Sequence, residues 1–553
     1  MRERLGWPAR EIVVRAHRRG VSLAFEAPVT ALLTATEVNE WAWLGAIDAA
    51  APVGPDQVPV GPDPVPVGPD QVPLKPAQAP HDLASALPLF LHLAADETPL
   101  RFGELLDAAA VRGVPTYPDD SHLSVGAGRW SRTWPMLELP DVADVPWADL
   151  RGIPVTLVGG SNGKTTTVRL ISAMCSAFGW RTGYSSTDGV RVDDAVLETG
   201  DWSGPAGARA VLRDARVEAA VLETARGGIL RRGLAVSGAR AAVITNIQLD
   251  HIGEDGIDVL NDLTAVKMVV AKGLAADGVL VLNGDDPQLI AAASTKAWSG
   301  RVAWFSLDAN APMITAARAA GTPCAVLHDT GALELAEHGT SHALGNADAM
   351  PLTVGGLARY NIANALGAAL AARAMGVDVE AVAQVLAQFG SDRNDNPGRL
   401  VRWTIDGATI LLDYAHNPEG IAGVLRVAAA LRATGGRLIV LLGQAGDRSD
   451  DAIRALARTV AAAGPAYVVL KELEEFMRGR AAGEVPAILA AELRTAGLGA
   501  DALETCATEV DGARAAVRRA RAGDVVVLPV HARRARDEVS AWLDGRVTAA
   551  RQA

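Results

Sequence analysis

Cysteine is scarce in this chain. Its three cysteines, Cys175, Cys324 and Cys506, are far apart, odd in number and without a CxxC pair. That pattern indicates neither a disulfide framework nor a zinc site and fits a reducing cytoplasm. Long apolar runs are also missing. Stretches such as 86–95 and 438–443 fall well short of the roughly 18 residues that a spanning helix needs, so no membrane segment is expected. The N-terminus mixes Arg2, Arg4 and Arg10 with Glu3 and Glu11 and has no continuous apolar core, so it reads as mature sequence and not as a signal peptide. No basic stripe stands out, and a formal charge of −12 argues against a nucleic-acid partner, since phosphate binding draws on clustered cations. Arg533, Arg534 and Arg536 are followed at once by Asp537 and Glu538 and read as a solvated helix face. No convincing Ser/His/Asp or Cys/His arrangement offers a protein nucleophile.

What is present is a globular balance, 49% apolar and 21% charged, over a length that points to three or four domains. The clearest boundary is a tandem heptapeptide. Pro-Val-Gly-Pro-Asp-Gln-Val at 52–58 returns at 59–65, with Pro64 in place of glutamine, and at 66–72, then decays over 73–79. Proline at every second to fourth position blocks both helix and ladder, which predicts an extended linker over 51–80. Before it, residues 1–50 hold strand-like runs at Glu11–Val14 and Val21–Phe25 and an apolar helix over Ala27–Leu44. After it, residues 81–150 begin mainly helical through 112. This split α+β N-terminal region carries no assigned chemistry. From Ile153 the pattern changes: β-branched runs such as Val155–Val158, Ala219–Leu222 and Ala241–Thr245 alternate with amphipathic stretches, and a second series starts near Arg399. Both series predict α/β domains built on parallel sheets, a central one at 151–396 and a C-terminal one at 397–553.

The strand Val155–Val158 runs into Gly159-Gly-Ser-Asn-Gly-Lys-Thr-Thr-Thr167 and then a helical stretch, Val168–Phe178. Strand, glycine loop and helix in that order make a phosphate cradle. Backbone amides of Gly160, Ser161, Asn162 and Gly163 turn onto phosphate oxygens, Lys164 adds a point charge, and Thr165, followed by Thr166, offers a hydroxyl to Mg²⁺. The loop departs from the common GxxxxGK[ST] spacing, which wants glycine where Val158 stands. Its shorter form, glycine-x-Asn-Gly-Lys-Thr-Thr, resembles the loop of Mur ligases and folylpolyglutamate synthetases. Ser186-Thr-Asp-Gly189, Gly200-Asp-Trp-Ser-Gly-Pro205 and Val221-Leu-Glu-Thr-Ala-Arg-Gly-Gly-Ile-Leu-Arg231 continue that resemblance, and the last looks specifically like the Mur-ligase module of cyanophycin synthetases.

The resemblance implies ATP and Mg²⁺ as cofactors, a P-loop central domain and a Rossmann-like C-terminal domain. It makes Glu223, at a strand end, a metal ligand, and His251, in Thr245-Asn-Ile-Gln-Leu-Asp-His-Ile-Gly253, the ligand of a second Mg²⁺. Imidazole is an uncommon Mg²⁺ ligand, so that assignment rests on the resemblance alone. Lys267 stands where several Mur ligases carry a carbamylated lysine, with Lys272 as a weaker alternative. Asn361 and Asn364, three apart on a predicted helix, would hold the adenine end or cap the helix. Arg399 would bind phosphate oxygens or pair with an acid. In Asp413-Tyr-Ala-His-Asn-Pro418, Asp413 and His416 would face ribose and phosphates and Asn417 would shape the cleft. Asp447 and Arg448 would lie near substrate. The expected activity joins a small-molecule or peptide carboxylate to an amine in the cytoplasm; an oligomer is compatible with the sequence. The first 150 residues show no ATP-grasp motif, so autonomous cyanophycin synthesis is not expected, and no uridine-nucleotide pattern, which speaks against a cell-wall precursor enzyme.

Overall fold

The computed structural model describes residues 1–8, 12–17, 20–49, 82–97, 100–250, 253, 256–295 and 300–552. The heptapeptide linker lies outside them, as does His251. The chain forms two compact units, Met1–Gly126 with Arg132–Arg151, and Ala127–Ser131 with Gly152–Ala553.

In the first unit Val13–His17 pairs antiparallel with Gly20–Ala24, and Thr116–Pro118, His122–Val125 and Arg132–Pro135 form an antiparallel sheet. Helices span Leu32–Ala49, Leu83–Glu97 and Leu100–Val111. The first of these opens at Leu32 rather than Ala27 because Pro28 leads into a short 3-10 turn, Val29–Ala31. Phe102, Leu105, Leu123 and Val125 make one small core, and Trp7, Val38 and Phe90 another.

The second unit is built on two sheets. The larger has eleven strands, with Val155–Gly159 between Ala219–Glu223 and Ala239–Ile244, all parallel. Parallel pairing continues outward to Thr182–Ser186 on one side and to Leu274–Asn283, Arg301–Ser306 and Cys324–Leu327 on the other, and antiparallel strands finish both ends. The β-branched runs are continuous because these strands are covered on both faces: every residue of Val155–Gly159 and Ala219–Glu223 is buried. Helices Lys164–Ala177 and Arg359–Met375 pack together over one face. The second sheet has six strands, with Ala408–Asp413, Val525–Pro529, Leu438–Leu442 and Tyr467–Lys471 parallel at its centre. The carboxyl ends of both central strand sets open onto one cavity of about 1280 Å³, the place where open α/β sheets take ligands.

Candidate active site

Gly159 ends the central strand, and the loop behind it is held by backbone contacts. Gly160 has φ 135° and Gly163 φ 87°; an added Cβ would lie 2.0 Å from Thr245 Oγ1 and 2.2 Å from Asn364 Oδ1. No side chain fits either position; Gly163 lines the cavity beside Asn162 and Lys164, whereas Gly160, expected on the phosphates, is packed against Thr245 and does not line it. Thr245 Oγ1 donates to Asn162 O at 2.6 Å, and the Asn246 side chain both accepts from Asn162 N and donates to Asn162 O. The helix starts at Lys164, four residues before the apolar pattern, and Thr167 N–H is the first to bond back, to Gly163 O at 2.9 Å. The amides of Lys164, Thr165 and Thr166 therefore have no acceptor within the helix and sit at its positive end. Lys164 Nζ rests on Ser161 O at 2.9 Å. This donor set fits a polyphosphate.

The Glu223 carboxylate accepts from Thr165 Oγ1 at 2.9 Å, Thr187 Oγ1 at 2.8 Å and Thr187 N at 3.3 Å. Glu223 and Thr165 thus present neighbouring oxygens, the ligand type of a hard divalent cation. Among the described residues no group of three or more His, Cys, Asp or Glu could hold a metal by itself, so a cation here would share its shell with phosphate oxygens and water. Lys267 is buried and donates to Gly160 O at 2.7 Å. Burial, with repulsion from Lys164, pulls its ammonium down to about 7 against the attraction of Asp250. Lys272 is exposed and does not line the cavity.

Asn361 and Asn364 are buried on the cavity side of their helix. Asn361 Nδ2 donates to Leu352 O at 3.0 Å and Asn364 Nδ2 to Asn361 Oδ1 at 3.2 Å; Ala358, not either asparagine, is the N-cap.

The second sheet supplies the opposite wall. Asn417 Nδ2 donates to Asn162 Oδ1 at 2.9 Å, which joins the Asp413–Pro418 loop to the phosphate loop. Asp250 lies 3.6 Å from His416 Nε2 and 3.4 Å from Arg448 Nη2. Asp413 accepts from Leu400 N and Ala415 N, both at 2.7 Å, and shapes its own loop; burial raises its carboxyl despite Arg399 and these amides. Arg399 lines the cavity, but its guanidinium lies 3.5 Å from Asp188 and 4.2 Å from the Tyr414 ring centre, so it is paired with an acid. Asp447 pairs with Arg478. The helix face at 533–536 is not wholly solvated: Arg536 is buried and pairs with Asp188.

Residues 158–372 match the Mur ligase middle domain, and residues 398–529 match the Mur ligase, glutamate ligase domain. The chain belongs to the Mur ligase family. Cyanophycin synthetase of Geminocystis herdmanii is 37% identical over 338 residues, which are 61% of this chain and 38% of that protein. The cyanophycin synthetase of Trichormus variabilis is 38% identical over 339 residues, 61% of this chain and 37% of that one. The chain therefore spans less than two fifths of the length of these relatives. Folylpolyglutamate synthase of Mycobacterium tuberculosis, complexed with ADP and AMPPCP, has a TM-score of 0.53 at 19% identity and covers 70% of this chain and 91% of that one, so the fold is shared.

Sequence reasoning missed two groups of this Mur ligase site and a buried one that reaches its wall only through His531. Thr187 and Asp250 lay within segments already singled out, and a count of oxygen donors near Glu223 and His251 would have found them. A third group had no signal. Lys471, a lone lysine in a strand, is fully buried and paired with Glu509; its Nζ also donates to Pro529 O at 2.5 Å and lies 3.3 Å from His531 Nδ1. With that nitrogen facing an ammonium, His531 carries its proton on Nε2 and donates to Ala415 O at 3.1 Å, under the Asp413–Pro418 loop.

Burial, then Lys471, holds His531 at about 3 against its ordinary 6.5. Between those values the unfolded chain binds a proton that the folded chain refuses. The stabilisation is therefore complete above 6.5 and is lost as pH falls towards 3. From about pH 7 to about pH 5 the expected loss is about 2 kcal/mol. Urea unfolding at both pH values measures it, and His531→Gln should flatten the dependence.

Proposed function

We propose that this chain is an ATP-dependent carboxylate–amine ligase, similar in its reaction to the Mur-ligase module of cyanophycin synthetases, that forms an amide or isopeptide bond through an acyl phosphate. The observation that carries this reading is the Asn162–Asn417 contact, which joins the Asp413–Pro418 loop to the phosphate loop in the cavity that Thr165 and Glu223 also line. Residues 151–396 would bind the triphosphate and 397–553 would complete the site.

In this mechanism the loop amides and Lys164 offset charge on the γ-phosphate of ATP while the acid's carboxylate oxygen attacks its phosphorus and ADP leaves. The amine then adds to the acyl carbon, phosphate departs, and the amine gives up a proton. Thr165, Glu223 and His251 would hold Mg²⁺, which supplies charge neutralisation to the transferring group. Asn361 and Asn364 would flank the adenine end, Arg399 and His416 the phosphates and Asp413 the ribose side. Lys267, titrating near 7, is suited to take up CO₂ as a carbamate, because only the neutral amine adds to it. This reading puts the enzyme in the cytoplasm, where ATP is available.

The test is ADP release from Mg-ATP with amino acids singly and in pairs, and with aspartate-containing peptides. Release that needs an acid and an amine together supports the reading and names both substrates. Release with a folate or a UDP-linked acid instead would move the chain to the folate or cell-wall branch of the family. Nucleotide binding without turnover on any pair would favour an idle ATP-binding partner.

A further inference from the structure

Asp188 is the meeting point of three arginines from three parts of the second unit. Its carboxylate accepts from Arg169 Nη2 at 2.7 Å, pairs with Arg536 and lies 3.5 Å from Arg399 Nη2; Arg533 donates to its backbone carbonyl at 3.0 Å. Arg169 belongs to the helix behind the phosphate loop and also donates to Asn396 Oδ1 and Pro397 O, on the segment that leads to the second sheet. Arg399 and Arg536 both lie over the ring of Tyr414, at 4.2 and 4.9 Å from its centre. On the other side of the turn, Thr187 reaches Glu223 through both its amide and its hydroxyl.

The charge balance is uneven: three guanidinium groups, of which Arg169 and Arg536 are nearly fully buried, share one carboxylate. Burial alone would raise the Asp188 carboxyl, but Arg399, Arg536 and Arg169 hold it well below the usual carboxylate range. Without that negative charge the cations would repel one another in a poorly solvated place.

We propose that Asp188 is a positioning residue that locks the Tyr414-bearing loop onto the phosphate loop and ties that closure to the carboxylate at Glu223. The proposal rests on the ligase reading, because the closed loop matters to catalysis only there. Asp188→Asn keeps the shape and removes the charge. The Kd for Mg-ADP should rise by no more than about tenfold, since the loop amides, Lys164 and Thr165 are untouched while Arg399, His416 and Asp413 are loosened, whereas kcat for ADP release should fall about 10²-fold, the effect a small misplacement can have. Small-angle scattering with Mg-ADP bound should show a larger radius of gyration than wild type, and Asp188→Glu should restore compactness.

If Asp188→Asn does not fold, Arg536→Gln should show the same split between affinity and turnover. Unchanged compactness and turnover would overturn the proposal. A loss of nucleotide affinity in step with turnover would overturn it too, since Asp188 would then act on the phosphate site itself. If no acid–amine pair supports turnover in the wild type, the ligase reading fails, and the scattering comparison still decides whether Asp188 holds the loop.

Discussion

Glu223→Gln should remain folded and lose about 10³-fold in kcat for ADP release, the size of effect seen when one group that stabilises developing charge is removed. The glutamine is isosteric and can still accept from Thr165 and Thr187, so thermal unfolding should move by no more than about 1 kcal/mol. What it loses is the negative charge beside the Thr165 hydroxyl, 2.9 Å away. The Mg²⁺ concentration for half-maximal rate should rise with the loss of turnover. A variant with wild-type turnover and Mg²⁺ dependence would show that Glu223 only braces the turn at Thr187.

The second large effect concerns Lys267. Lys267→Ala should lower kcat about 10²-fold, and added bicarbonate should not help it, whereas short carboxylic acids such as formate or acetate should restore part of the rate. In the wild type, turnover should rise from about pH 6 to about pH 8. Below 7 the ammonium is protonated and cannot add CO₂; above 7 the neutral amine prevails. Isotope-labelled bicarbonate followed by carbon NMR reads the carbamate directly. If Lys267→Ala is insensitive to short acids and the wild type incorporates no label, then Lys267 acts as a cation on Gly160 O.

The α/β core and its phosphate loop were legible because the chain writes them contiguously: a buried strand, a glycine loop and a helix within about two dozen residues. Edges were harder. The helix at Lys164 opens on polar Lys-Thr-Thr-Thr because Gly163 at φ 87° starts it, and no apolar period marks such a start. The strand Leu274–Asn283 starts well before its apolar run at 279–282 because a register shift between Ala239 and Ala241 accommodates residues 275–278 without partners on the neighbouring strand. The Lys471–Glu509–His531 group was illegible for a different reason. Each member looks like ordinary surface polarity, and only the folded second sheet brings them within hydrogen-bond reach. The same holds for Arg536, whose acidic sequence neighbours suggest solvent while its partner is Asp188, in the turn that follows Thr182–Ser186 of the larger sheet. Arg399 had two readings in sequence, phosphate or acid, and the fold sets it beside Asp188 while leaving it on the cavity wall.

The most direct test of the acyl-phosphate ligase is the fate of the acid's oxygen. With the substrate carboxylate labelled with heavy oxygen, turnover with Mg-ATP and amine should deliver one labelled oxygen to each inorganic phosphate, with ADP as the only nucleotide product. Phosphate free of label, or AMP with pyrophosphate, would contradict the account.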